Sequence, residues 1–323
     1  MTTTATPATP FAPGSVSLGL HPDTTLDAGG QVELLLAQAR AAEAAGFDGV
    51  TLSEHHANFP CYLPQPLLAC GWVLAATERV WAAPTPLLLG LRHAVLVAED
   101  LCWTAARHPG RVALAVASGY AASDLELVGL DPARRTERFR QQQALLMDVL
   151  GGRHAVSADA AIATWAAAPG PVLSATNSLT AVRLAAALGM GVVYPGGEHP
   201  DRLGTLTASY REAGGTGPVV WIRGFWIGRP PETAAASALA ATYRDRSPAG
   251  TRQTKGFHSP MLSGSPSEIL ELARDHVQRA GVDAVNARLH VAGAPVGLVA
   301  EQIDRFGRDV RPALAQLLPV GVG

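Results

Sequence analysis

A single (β/α)8 barrel of the α/β class is what this chain predicts, and three observations lead there. Eight short apolar runs alternate along the sequence with longer segments of helical period. The length, 323 residues, is large for an ordinary small domain but normal for one barrel, so no second domain is demanded. The rival, a doubly wound open sheet that binds dinucleotides, would place a Gly-x-Gly-x-x-Gly turn after its first strand, and none stands there. Residues 1–14 read as a flexible N-terminal tail, 15–318 as the barrel and 319–323 as a C-terminal tail.

Val16 to Leu20 alternates as the first strand, and His21-Pro22-Asp23 turns the chain. Gln31 to Ala45 places Val32, Leu35, Leu36, Ala39 and Ala42 at helical spacing and stops at Gly46. Val50 and Leu52 then make the second strand, which runs into Ser53-Glu54-His55-His56. Pro64 to Thr77 reads as a helix entered through proline, Arg79 to Leu89 as strand three, and His93 to Ala106 as a helix stopped by His108-Pro109-Gly110. Arg111 to Ala117 is strand four, closed by Ser118-Gly119-Tyr120. Residues 121–133 are loop-like, and Arg134 to Leu150 is a long helix with Phe139, Leu145, Leu146 and Val149 on one side.

A hairpin around Ile162 to Ala166 is the reading for the obscure stretch between Gly151 and Gly170. Strand five follows at Pro171 to Ser174, a helix at Leu179 to Leu188, strand six at Gly191 to Tyr194 and a helix at His199 to Ala213. Val219 to Ile227 is strand seven and Pro231 to Tyr243 a helix. From Arg244 to Gly264 the pattern dissolves into polar, proline and glycine residues, which predicts a mobile insertion after strand seven that acts as a lid. Ser265-Pro266-Ser267-Glu268 opens a helix with a serine cap and proline just inside, running to Ala280. Strand eight is Ala284 to Leu289, and Val296 to Leu317 is the closing helix.

With 48% hydrophobic and 16% charged residues the chain has the composition of a compact protein, and a net charge of −2 without a basic run disfavours nucleic acid or an acidic membrane surface as partner. Cys61, Cys70 and Cys102 are widely spaced and include no Cys-x-x-Cys pair, so they read as reduced thiols of a cytoplasmic protein. Met1 to Pro13 has neither the positive nor the apolar region of a signal peptide, and no run of about 18 apolar residues exists to span a membrane.

In a barrel of this kind the chemistry gathers at the carboxyl ends of the strands. Those ends supply Glu54, His55 and His56; Arg92 and His93; Ser118, Gly119 and Tyr120; Thr176, Asn177 and Ser178; Arg223 and Trp226; and Arg288 and His290. No metal site is expected, because His-x-x-x-His and aspartate-rich loops are both missing from the paired histidines' surroundings. Adjacent side chains on a strand face opposite ways, so only one of His55 and His56 looks into the barrel mouth. His55 is taken as that residue, while Glu54 shares a face with His56 and orients it; a histidine bonded to backbone is the competing reading of His56. Ser174 to Thr180 joins a strand to a helix start and suits a phosphate, with an ordinary N-cap as the plain alternative. Thr85-Pro86 interrupts strand three; a closed barrel has no edge to place a proline on, which selects a bend that offers backbone to a ligand. Trp72, Tyr62, Tyr120, Trp221 and Trp226 are candidates for an apolar pocket wall, each balanced against plain core.

Ser53-Glu54-His55-His56, Leu89-Gly90-Leu91-Arg92-His93-Ala94-Val95 with Glu99-Asp100, Gly110-Arg111-Val112 through Gly119-Tyr120, and Gly264-Ser265-Pro266 stand in an order and spacing that resembles the bacterial luciferase-like flavin monooxygenases. The resemblance runs from about Val16 to Leu317 and includes the closing Phe306, Val310, Pro312 and Leu314. It implies a barrel that takes reduced FMN from a separate, transiently bound flavin reductase, or in one branch a deazaflavin instead, and that works as a homodimer. It also implies His55 as the active-site histidine with His56 beside it, Asn177, Ser178 and Thr180 as the loop on the flavin phosphate, and Thr85-Pro86 as the site of a cis peptide beside the isoalloxazine. Two positions depart from the pattern. Ala117 replaces the reactive cysteine of light-emitting members, which argues against luminescence. Ser118 replaces an arginine that helps hold phosphate, so Arg92, Arg223 or Arg288 has to supply that charge. The expected activity is therefore non-luminescent oxygenation of a small organic substrate with reduced FMN and O2, the alternatives being a deazaflavin-dependent reductase or dehydrogenase and a catalytically idle flavin binder.

Overall fold

A computed structural model describes residues 8–247 and 261–319. Its strands are β1 (Val16–Leu20), β2 (Gly49–Leu52), β3 (Trp81–Pro84), β4 (Leu87–Leu88), β5 (Leu114–Ala117), β6 (Val172–Ala175), β7 (Gly191–Tyr194), β8 (Val219–Ile227), β9 (Leu262–Gly264) and β10 (Ala284–Arg288). They pair in parallel in the order β3-β2-β1-β10-β8-β7-β6-β5-β4. A parallel bridge from Ala82 to Val112 joins β3 to the approach of β5, so the sheet closes on itself. The predicted (β/α)8 barrel is therefore the fold, with β3 and β4 as two pieces of one barrel strand broken at the cis Thr85-Pro86 bond.

The helices between the strands are α1 (Ala28–Ala44), α2 (Pro66–Ala76), α3 (Ala94–Arg107), α4 (Ala122–Glu126), α5 (Arg135–Leu150), α6 (Ala160–Ala167), α7 (Leu179–Ala187), α8 (Pro200–Glu212), α9 (Ala234–Arg246), α10 (Pro266–Ala280), α11 (Val296–Asp309) and α12 (Arg311–Leu317). Strand alternation separates two cores. Val50, Ala82, Val285 and Ala287 face outward into the large core beneath the helices, while Trp81, Ala83, Ala115, Leu173, Val220 and Ile222 fill the barrel interior. A polar layer lies inside as well, where Asn286 donates to Ser17 Oγ at 2.9 Å and to Thr51 Oγ1 at 2.8 Å, which keeps that buried amide satisfied. Trp81 fixes the residue beside it: a Cβ on Gly49 would lie 2.0 Å from the indole, so only glycine lets β2 pass.

Several expectations need correction. Residues 8–14 are not a flexible tail. Phe11 is fully buried and packs on Trp81 with ring centroids 4.5 Å apart, plugging the amino end of the barrel, and Gly14 N–H bonds Asp283 O at 2.9 Å. The hairpin around Ile162 to Ala166 is helix α6, capped by Asp159 on the Ala161 and Ile162 amides. An alanine-rich run behind an aspartate cap favours helix over strand. The loop-like stretch 121–133 carries the short α4, and the single closing helix is two, divided at Val310 because Pro312 cannot continue the ladder. The mobile insertion falls mostly on residues 248–260, outside the described residues; its ends are ordered, since Arg244 to Arg246 finish α9 and Leu262–Gly264 form β9, paired with Phe225 to Ile227. Among the described residues no helix is long and apolar enough to cross a membrane.

Candidate functional site

Over the carboxyl ends of the strands lies a cavity of about 640 Å³. Of the residues singled out from sequence, Glu54, His55, Pro86, Ser118, Gly119, Tyr120, Thr176, Asn177 and Ser178 line it, and so do Arg223, Arg288 and His290. The strand ends converge as a barrel requires.

His55 is 9% exposed and held on all sides. Its ring stacks on Phe59 at 4.0 Å and meets Tyr62 and Tyr120 edge-on at 4.8 and 5.3 Å. Nδ1 lies 3.4 Å from Asp124 Oδ2, and Nε2 lies 3.3 Å from the Tyr120 hydroxyl. Asp124 is itself buried, 1% exposed, at the start of α4. This chain of carboxylate, imidazole and phenol gives His55 a defined tautomer and direction: a carboxylate at Nδ1 favours the proton there, which leaves Nε2 facing the phenol and the cavity. Burial pushes the Tyr120 hydroxyl well above the usual phenol range, so it stays protonated and can donate.

Across the roof, Tyr243 at the end of α9 bonds the Tyr62 hydroxyl through its own, and its ring also meets His55 edge-on. Arg246, one turn further on, donates to the carbonyls of His56 and Ala57 at 3.2 and 2.9 Å and lies 5.1 Å from the Phe59 ring centroid. The last turn of α9 thus clasps the loop that follows His55 and covers it with aromatic surface.

Glu54 bonds His56, as a shared face predicts, and it borders the cavity while His56 does not line it. Glu54 Oε1 is 2.6 Å from both His56 Nε2 and Arg92 Nη2, and Oε2 accepts from Leu88 N–H at 2.8 Å. The carboxylate is fully engaged in tying β2 to β4, and His56 lies outside the cavity. These contacts brace the wall that presents His55. Arg92, bonded also to Pro64 O, is removed as a phosphate ligand by the same contacts.

Thr85 is buried behind the wall, its carbonyl accepting from Ser53 Oγ at 2.6 Å, so of the Thr85-Pro86 pair only Pro86 faces the cavity. Ser178 caps α7 by accepting from Ala181 N–H at 3.3 Å and lines the cavity; Thr180 sits exposed in the first turn and does not line it. Asn177 is fixed by a bond to Glu198 Oε1 at 3.4 Å, and its carbonyl accepts from Arg202 at 3.0 Å. Arg223, which follows the inward Ile222, borders the cavity while its guanidinium lies 6.0 Å from the Trp221 ring. Trp221 and Trp226 are core and Trp72 is on the surface, whereas Tyr62 and Tyr120 line the cavity. Arg135 and Arg140 on α5, which sequence reasoning did not select, also line the cavity, and Arg135 donates to Tyr120 O at 3.1 Å.

Burial lowers the pKa of two histidines beside the cavity. His290 is pushed down to about 4, chiefly by desolvation with a further push from Arg288, and its ring stacks on His21 at 4.7 Å. His21 is lowered well below 6.5 by desolvation, then by His290 and Arg288. Above pH 6.5 both states of each imidazole are neutral and stability is unaffected. Below it the unfolded chain takes up protons that the folded one refuses, so stability falls as the pH drops from 6.5 toward 4. Denaturant melts at half-unit pH steps are expected to show this slope, limited to about 1.4 kcal/mol per pH unit for each imidazole. His290→Asn should flatten it; an unchanged slope in that variant would remove His290 from the explanation.

Comparison with known proteins agrees with this architecture. The profile of the luciferase-like monooxygenases matches residues 13–310. The F420-dependent glucose-6-phosphate dehydrogenase of Beutenbergia cavernae is 33% identical over 178 residues, 51% of this chain and 53% of that protein, so the chain spans about half the length of this relative. Among solved structures, the monooxygenase RslO1 from Streptomyces bottropensis superposes with a TM-score of 0.75 at 16% identity, covering 92% of this chain and 99% of the other. The oxygenating constituent of 3,6-diketocamphane monooxygenase from Pseudomonas putida, in complex with FMN, gives 0.72 at 15% identity, with 93% and 98% covered. These two share the fold. With the profile matched across nearly the whole barrel, the chain belongs to the luciferase-like monooxygenase family of oxidoreductases, which includes both FMN monooxygenases and F420-dependent enzymes.

Proposed function

We propose that this protein is a two-component monooxygenase that uses reduced FMN, delivered by a separate reductase, and O2 to oxygenate a small organic substrate. The observation that carries the reading is the placement of His55: a polarised imidazole in the wall of a cavity roofed by Phe59, Tyr62 and Tyr243. The donor set suits FMN. Backbone and side-chain donors of Asn177 and Ser178 at the start of α7, with Arg135 and Arg140, match a phosphate, and the flat apolar surface of Pro86, Leu88 and Ala117 matches a ring system. Bound there, the reduced ring supplies the electrons that activate O2.

The chain's own residues do the rest. Asp124 orients His55, and Nε2 of His55 holds or moves the proton at the reacting end of the substrate, with Tyr120 as its hydrogen-bond partner. The aromatic roof keeps bulk water from the reacting atoms, which protects oxygen transfer against hydrolytic loss. A second reading, hydride transfer with a deazaflavin, is favoured by the F420-dependent relative, and the same imidazole would then take an alcohol proton.

Anaerobic titration of the purified protein with reduced FMN and with the reduced deazaflavin separates these. The proposal expects the tighter complex with reduced FMN and rapid O2 uptake when air is admitted. Preference for the deazaflavin with no O2 uptake selects the second reading, and tight binding of oxidised FMN without turnover marks an idle flavin binder.

A further inference from the structure

Arg288 is the inward-facing cation of the eighth barrel strand. Alternation along β10 points Ala284, Asn286 and Arg288 into the barrel, and the arginine's stem lies across Gly19, where a Cβ would come within 3.2 Å of its Cγ. Its guanidinium donates to the neutral Ser53 hydroxyl at 3.3 Å, and among the described residues it forms no ion pair. The two carboxylates nearest the reaction space are already engaged, Glu54 by Arg92 and His56, and Asp124 by His55. The strand order sets β10 three places from β6, so Arg288 and the α7 start that follows β6 occupy different walls of the cavity.

We propose that the substrate carries a carboxylate and that Arg288 binds it, setting the reacting carbon toward His55. The inference rests on the flavin reading above, in which the α7 wall is taken by the cofactor's phosphate. A half-buried cation lining a cavity without a counter-charge calls for an anion, and a guanidinium fork matches a planar carboxylate. The charge count favours a monoanion. Arg223 also borders the cavity, but its guanidinium lies over Trp221, and burial keeps the neighbouring His290 and His21 neutral at pH 7, so a phosphate dianion at Arg288 would leave one negative charge unmatched.

Calorimetry on the full chain without cofactor tests this with three probes of one shape: benzoate, benzamide and phenyl phosphate. Benzoate is expected to bind at least about ten-fold more tightly than the other two, the ratio of a single charge-assisted contact. Arg288→Gln should abolish that preference while leaving the affinity for reduced FMN within about two-fold, and Arg288→Lys, the variant to rely on should the glutamine substitution disturb folding, should keep part of the preference. Equal binding of benzoate and benzamide overturns the proposal. So does a glutamine variant that loses reduced FMN and keeps its benzoate preference, which would assign Arg288 to the negative charge of the reduced flavin itself. Because the carboxylate measurement needs no cofactor, failure of the wild type to bind either flavin would count against the flavin reading and not against the anion site.

Discussion

Replacing His55 with glutamine is expected to lower turnover by roughly 10²–10⁴-fold, the usual worth of a positioned acid or base. Glutamine preserves hydrogen bonding toward Asp124 and Tyr120 and fills most of the space over Phe59, so the loss reports proton handling and not collapse of the wall. Under the monooxygenase reading the variant should still consume reduced FMN, with a smaller share of it yielding product and a larger share yielding hydrogen peroxide. Asp124→Asn removes only the group that orients the imidazole. It should shift the acid limb of the pH profile and cost less, on the order of ten- to a hundred-fold. Unchanged coupling of flavin oxidation to product in the His55 variant would remove this residue from the chemistry.

Glu54→Gln is expected to be the more damaging change for stability. The carboxylate has no exposed surface and holds three donors: Arg92, His56 and the Leu88 amide. A carboxamide offers one acceptor where two are used and turns an NH2 toward another donor. It also leaves the partly buried Arg92 without its counter-charge, and Arg92 keeps only the neutral carbonyl of Pro64 and the side chain of Gln65 nearby. Breaking one partner of such a buried cluster costs about 3 kcal/mol, which for a chain of this size lowers the melting temperature by roughly 5 °C. Because the cluster ties the end of β2 to β4 beyond the Thr85-Pro86 break, the same variant should loosen the wall that presents His55. Thermal melts of the two variants side by side check this contrast: His55→Gln close to the native chain, Glu54→Gln well below it.

The bracing role of Glu54 and His56 was legible from strand alternation alone, because two residues apart on a strand means the same face. The same rule lets only one of His55 and His56 face the barrel mouth, and the family resemblance named His55. The barrel was legible because parallel strands buried on both faces leave continuous apolar runs, and helices between them leave caps such as Ser265 with Glu268. Asp124 was not legible. It belongs to a stretch with no apolar period, and only the tertiary fold, which sets α4 beside the loop after β2, brings it to His55. Tyr243 joins the site from a residue 181 positions beyond Tyr62, a long-range pairing that no local pattern encodes. Arg135 and Arg140 had a signal that could have been used: with Thr136, Phe139 and Gln143 they mark the face of α5 turned to the cavity. Helix α6, read as a hairpin, carried a usable signal in the Asp159 cap ahead of an alanine-rich run.

The most direct test of the central claim, that the cavity beneath the aromatic roof is a flavin site served by His55, is a crystal structure after an anaerobic soak with reduced FMN. The account predicts the ring system against Pro86 and Leu88, its phosphate at the start of α7 within reach of Arg140, and the reacting edge open toward His55 Nε2. A flavin bound outside this cavity, or seated in it with His55 turned away behind the ring, would contradict it.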